Sequence, residues 1–142
     1  MTVENEARGR SNLRRGKAWM RSCVRWLREH GAPHADVVTT AHSSDITGVG
    51  DLAIEATLED WQRIGAKADQ AAADASRRGV DYWCVWKSRR GVTDPGGAWC
   101  ITTFGQWWGA HQELAELRAE VRLLRKVIRE GAEEDKAAAQ NV

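Results

Sequence analysis

The sequence has no apolar run approaching the roughly 20 residues that cross a bilayer, and its N-terminus is charged where a secretory leader carries its apolar core. Membrane anchoring and secretion are therefore not expected, and a cytoplasmic protein is. Cysteine is scarce: Cys23, Cys84 and Cys100 are an odd number without metal-type spacing, so neither a disulfide framework nor a zinc site is indicated. The net charge of +1 leaves no overall bias toward an acidic or basic partner. Also missing are a Ser-His-Asp motif, a phosphate-binding Gly-Lys-Ser/Thr loop and a dinucleotide fingerprint, which leaves triad hydrolases, NTPases and Rossmann oxidoreductases without support.

What the 142 residues do contain is enough for one domain of ordinary size with appendages. The charges are segregated. Arg8, Arg10, Arg14, Arg15, Lys17, Arg21, Arg25 and Arg28 crowd the start, against only Glu4, Glu6 and Glu29. Such a stretch can track phosphates or be a solvated helix face, and both readings stand. Residues 1–11 are polar and read as a flexible basic arm. From Asn12, the helical spacing of Trp19, Cys23, Val24, Trp26 and Leu27 predicts an amphipathic helix ending at Gly31 and Pro33.

β-Branched residues predict a strand over Asp36 to Ala41, and Gly48 and Gly50 mark a turn into a second strand, Asp51 to Thr57. Leu58 to Arg78 is alanine-rich, places Trp61, Ile64, Ala68, Ala71, Ala72 and Ala75 at helical intervals, and stops at Gly79. Tyr82 to Trp86 and Ala98 to Thr102 are two more predicted strands, joined by a loop through Asp94-Pro95-Gly96. The order implies an α/β fold with a central sheet. A final helix opens at Phe104 to Trp108. Leu114, Leu117, Val121, Leu124 and Ile128 then form a heptad seam over 109–131 that can dock on its own domain or pair with a second chain. The tail 132–142, alanine and charge, is expected to be disordered.

Chemistry points to Asp45-Ile46-Thr47-Gly48-Val49-Gly50-Asp51-Leu52-Ala53-Ile54-Glu55-Ala56-Thr57. A carboxylate before a turn and another on the following strand can converge on one hard cation. The segment resembles the metal-binding core of the PD-(D/E)xK nuclease superfamily, and more narrowly the small Holliday-junction-resolvase-like endonucleases of phages and prophages. The likeness spans about residues 12–108, including Gln70-Ala71, the run Val85-Trp86-Lys87-Ser88-Arg89-Arg90-Gly91, Asp94-Pro95-Gly96 and Trp99.

The resemblance implies a restriction-endonuclease-like core, a mixed sheet flanked by helices, and an endonuclease that hydrolyses branched or duplex DNA with magnesium or manganese. A homodimer is expected, because a symmetric junction is cut by two copies of one active site and the C-terminal heptads can assist. It implies Asp45 and Glu55 as metal ligands, with the Ala56 carbonyl beside them. Asp51 stands where relatives have glycine, and is either a further ligand or a turn aspartate. The expected catalytic lysine is replaced by Thr57, which cannot supply the same electrostatic stabilisation. Lys67 and Lys87 are the candidates to replace it, each otherwise a surface lysine. Met20 and Arg21 stand where many relatives carry a first-helix glutamate. Lys87, Arg89, Arg90 and Gln70 are expected against DNA, and His42 and Ser44 either face the same cleft or lie in an exposed turn. The alternative is a nuclease fold without catalysis, binding DNA or a protein partner. Most of the eight tryptophans read as core, whereas adjacent Trp107 and Trp108 cannot both be buried by one helix face.

Overall fold

A computed structural model describes residues 3–38 and 46–142. The chain divides into two compact units, Met1–Thr103 and Phe104–Val142. The first contains helix α1 (Val3–Glu29), strands β1 (Asp36–Val37), β2 (Ile46–Thr47) and β3 (Leu52–Thr57), a 3-10 turn (Trp61–Arg63), helix α2 (Ile64–Arg78), strand β4 (Tyr82–Lys87), a second 3-10 turn (Pro95–Gly97) and strand β5 (Trp99–Ile101). The second is helix α3 (Phe104–Gln140). The fold is α/β, as the element order predicts. Among the described residues no helix is long and apolar enough to cross a membrane.

The five strands form one mixed sheet in the order β1-β2-β3-β4-β5. All neighbouring pairs are antiparallel except β3 and β4, which run parallel with Glu55 opposite Val85 and Thr57 opposite Lys87. That parallel pair is joined through α2, the crossover that parallel strands require. Alternation along β3 and β4 sends one set of side chains to each face. Ile54, Ala56, Cys84 and Trp86 pack with Cys23 and Val24 of α1, while Ala53, Trp83 and Val85 pack with Ile64, Ala71 and Ala75 of α2. Strands covered on both sides are expected to be apolar throughout. Here Glu55, Thr57 and Lys87 break the pattern on the α2 face, all toward the C-terminal ends of the two strands.

Loop contacts hold the layers in place. Trp86 Nε1 donates to the Pro95 carbonyl at 3.0 Å, and a Cβ on Gly96 would come within 2.8 Å of Trp26 Nε1. Gly79 closes α2 in the left-handed region (φ 65°), its N–H bonded to the Ala75 and Ser76 carbonyls, as a helix C-terminal glycine does.

The structure departs from the sequence expectations at both ends. Residues 3–11, expected as an arm, are the first turns of α1, and residues 132–140, expected to be disordered, continue α3. Trp61, expected in the core, lies in the 3-10 turn and is 59% exposed. Trp83 and Trp86 are buried on opposite faces. The first predicted strand is described only through Val38, with Asp36–Val37 in the sheet. On α3 no residue is buried; Phe104, Trp107 and Trp108 cluster with His111 as exposed rings, Trp107 stacking on His111 at 5.1 Å.

Candidate active site

Glu55 is the chemical anomaly of the sheet: a carboxylate 1% exposed, in a strand whose neighbours are Ile54 and Ala56. A buried charge is sustained by an opposite charge and hydrogen bonds. Lys67, one turn into α2, supplies the charge with its Nζ 3.0 Å from Glu55 Oε1. The second oxygen, Oε2, is enclosed. The Lys67 side chain keeps 22% of its surface and also lies 4.0 Å from Glu59 Oε1, so the ammonium bridges the buried acid and the site's edge. The helix that covers the strand therefore brings a lysine to the central acid.

Thr57, on the same strand face as Glu55, is buried, and its Oγ1 accepts from the Glu59 N–H at 3.0 Å, turning the chain out of β3. Its parallel partner Lys87 is only 7% exposed and holds its ammonium 5.4 Å from the centre of the Trp61 ring. Lys87 is thus enclosed under an aromatic lid, not open at the strand end. Trp61 packs edge-on against Trp99 at 6.1 Å, and the Arg89 guanidinium sits 4.8 Å over Trp99. Two exposed indoles, Trp61 over the enclosed Lys87 and Trp99 beside the exposed Arg89, form a patch at the carboxyl ends of β3 and β4, where open α/β sheets take ligands. Arg89 and Arg90 are exposed in the loop after β4, and Gln70 is exposed one turn beyond Lys67 on α2.

The Thr57 and Asp51 carbonyls accept from Ser88 and Tyr82 of the β4 side, each at 3.1 Å. Alternate carbonyls of a strand point to opposite sides, so the Ala56 carbonyl points toward the β2 edge. A buried carboxylate and that carbonyl are the hard oxygen donors a magnesium ion favours. Among the described residues no group of three His, Cys, Asp or Glu side chains is arranged to hold a metal. Asp45, His42 and Ser44 lie outside the described residues. Asp51 is exposed in the turn at the start of β3. At about 3.3 Å per residue it is about 13 Å from Glu55 along the strand, too far for both carboxylates to share one ion.

Two thiols meet on the opposite, α1-facing side, where the register sets Cys100 of β5 across from Trp86 and diagonal to Cys84. Their mutual hydrogen bond lowers the Cys100 thiol to about 7, outweighing the opposing effect of burial. The same bond, with burial, pushes Cys84 up.

Of the residues that the sequence singles out, Lys67 lies against Glu55 and Lys87 pairs with Thr57, whereas Glu59 beside Lys67 and the surface positions of Trp61 and Trp99 are not expected from it. The sequence carries no signal for the 3-10 turn that precedes α2, because Trp61, Ile64 and Ala68 keep helical spacing across it. No family model, curated protein or solved structure matches the chain.

Proposed function

We propose that the Met1–Thr103 unit is a metal-dependent DNA endonuclease of the PD-(D/E)xK type with a restriction-endonuclease-like core, acting on branched or duplex DNA. The observation that carries this reading is the Lys67 ammonium 3.0 Å from Glu55. It brings to the central acid the positive charge that the motif normally delivers from the position of Thr57, now from the next helix. Asp45, Glu55 and the Ala56 carbonyl would hold magnesium or manganese, which supplies an activated water and neutralises phosphate charge. Lys67 orients the water and stabilises the negative charge that develops on the phosphoryl oxygens. Glu59 and Thr57 position that lysine and the strand end. Arg89 and Arg90 contact phosphates, and Trp61 with Trp99 offers ring surface to an unpaired base.

The test is cleavage of four-way junction, fork and linear duplex DNA with magnesium or manganese. Glu55→Ala is expected to abolish cutting, and Lys67→Ala to slow it about a hundred- to thousand-fold, the usual effect of removing one charge-stabilising donor. Cutting by Lys67→Ala at the parent rate would refute the relocated lysine.

A second reading rests on the same contact: the ammonium is bonded directly to the oxygen that a cation would use. In that reading the fold binds DNA without cutting it, through the Trp61, Trp99 and Arg89 patch. It predicts salt-dependent binding, no cleavage in any metal, and restoration of cleavage by Thr57→Lys.

A further inference from the structure

Helix α3 runs for 37 residues without a buried side chain, yet it carries an apolar stripe. Leu114, Leu117, Val121, Leu124 and Ile128 are 43% to 70% exposed and recur at alternating spacings of three and four. Leu114, Val121 and Ile128 occupy the a positions of a heptad, and Leu117 and Leu124 the d positions. A helix with such a seam gains most of its stability by packing the seam against another helix.

The flanking charges specify which helix. On one side of the seam the g positions are Glu113 and Glu120; on the other the e positions are Arg118 and Arg125. In a parallel, in-register pair each g residue faces the e residue five positions later on the partner. Glu113 then meets Arg118 and Glu120 meets Arg125, twice over by symmetry. An antiparallel pair would set g against g and e against e, glutamate on glutamate and arginine on arginine. The next g and e positions, Val127 and Ala132, continue the apolar strip in the parallel arrangement alone. β-Branched Val121 and Ile128 at a, with leucine at d, favour two strands.

We infer that α3 is the interface for a second copy of this chain, paired as a parallel, in-register two-stranded coiled coil whose orientation is set by the Glu113–Arg118 and Glu120–Arg125 pairs. Both copies of the Met1–Thr103 unit then join the seam at the same end. The inference holds whether or not that unit cuts DNA.

Three measurements on the full chain test it. Sedimentation at micromolar concentration is expected to give a dimer; a monomer, trimer or tetramer overturns the proposal. Glu113→Arg with Glu120→Arg, and separately Arg118→Glu with Arg125→Glu, each place like charges across the parallel seam and are expected to weaken self-association at least about tenfold. Mixing the two variants is expected to restore pairing as a heterodimer. Unchanged self-association in both, or no rescue on mixing, overturns the charge pairing. For orientation, Ala110→Cys is introduced with Cys100→Ser and oxidised with glutathione disulfide. Parallel register sets residue 110, a d position, opposite itself, so a disulfide-linked dimer is expected. A dimer that fails to cross-link there is antiparallel or out of register, and the proposal falls.

Discussion

A carboxylate as enclosed as Glu55 is costly to keep charged, and Lys67 offsets that cost through a direct ion pair with most of the lysine withdrawn from water. Removing either partner takes away the ion pair that offsets this cost. Lys67→Met and Glu55→Gln are each expected to destabilise the fold by about 2 kcal/mol, and the double variant by less than the sum, leaving a coupling of about 1 to 2 kcal/mol. Urea unfolding of the four proteins measures it, and additivity would show that the contact contributes nothing specific. A second residue-scale expectation concerns Cys100. A thiol lowered to about 7 is mostly thiolate above that pH. Its alkylation rate should therefore rise through a midpoint near pH 7, and Cys84→Ala, which deletes the hydrogen-bond donor, should move the midpoint upward; equal midpoints would disprove the bond's role. Much of the site was legible at this scale. Strand alternation places Glu55 and Thr57 on one face, and Lys67 was one of two replacement lysines that the sequence allowed. Trp61 was not legible. Its spacing to Ile64 and Ala68 imitates a helix face, but the 3-10 turn changes the phase and turns the ring outward onto Lys87.

Among elements, the β2–β3 connection is where local geometry governs most. Gly48 lies in the left-handed region (φ 78°), and a Cβ there would stand 2.1 Å from the His34 carbonyl oxygen and 2.7 Å from its carbon. Gly50 is also left-handed (φ 53°) but faces open space. Both tolerate their φ because they lack Cβ, and only Gly48 is also required by contact. Gly48→Ala is expected to cost about 3 kcal/mol or more, because backbone must move, whereas Gly50→Ala should cost about 1 kcal/mol. Thermal unfolding of the two variants separates them, and equal losses would mean that the turn does not press on the chain before β1. Elements with strong periodic or terminating signals were readable: β3, β4 and the end of α2 at Gly79 follow from β-branched and aromatic runs and a C-terminal glycine. The ends of α1 and α3 were not, because their polarity imitates flexible chain. Glu4 and Glu6 precede Arg8 and Arg10 by four residues, a spacing that supports a helix without any apolar face, and the alanines and charges after Gly131 are strong helix formers.

At the scale of the whole molecule, every buried side chain among the described residues falls between Cys23 and Lys87. The sheet, α1 and α2 therefore bury their own apolar surface, and α3 contributes none of its residues to the buried core. A chain ending at Thr103 should then unfold cooperatively by itself, since each face of its sheet keeps its covering helix. Pairing through α3 adds a different term. Whatever binds the folded state alone raises apparent stability by mass action, so a chain held in a dimer by its helices melts at a temperature that depends on protein concentration. Over a hundredfold range of concentration, the α3 transition of the full chain is expected to shift upward, while the chain ending at Thr103 melts at one temperature throughout. Calorimetry at several concentrations distinguishes the two. Were the shortened chain unfolded or itself concentration-dependent, the sheet unit would require α3 for its own stability. Were the full chain independent of concentration, α3 would not be the element that joins two copies.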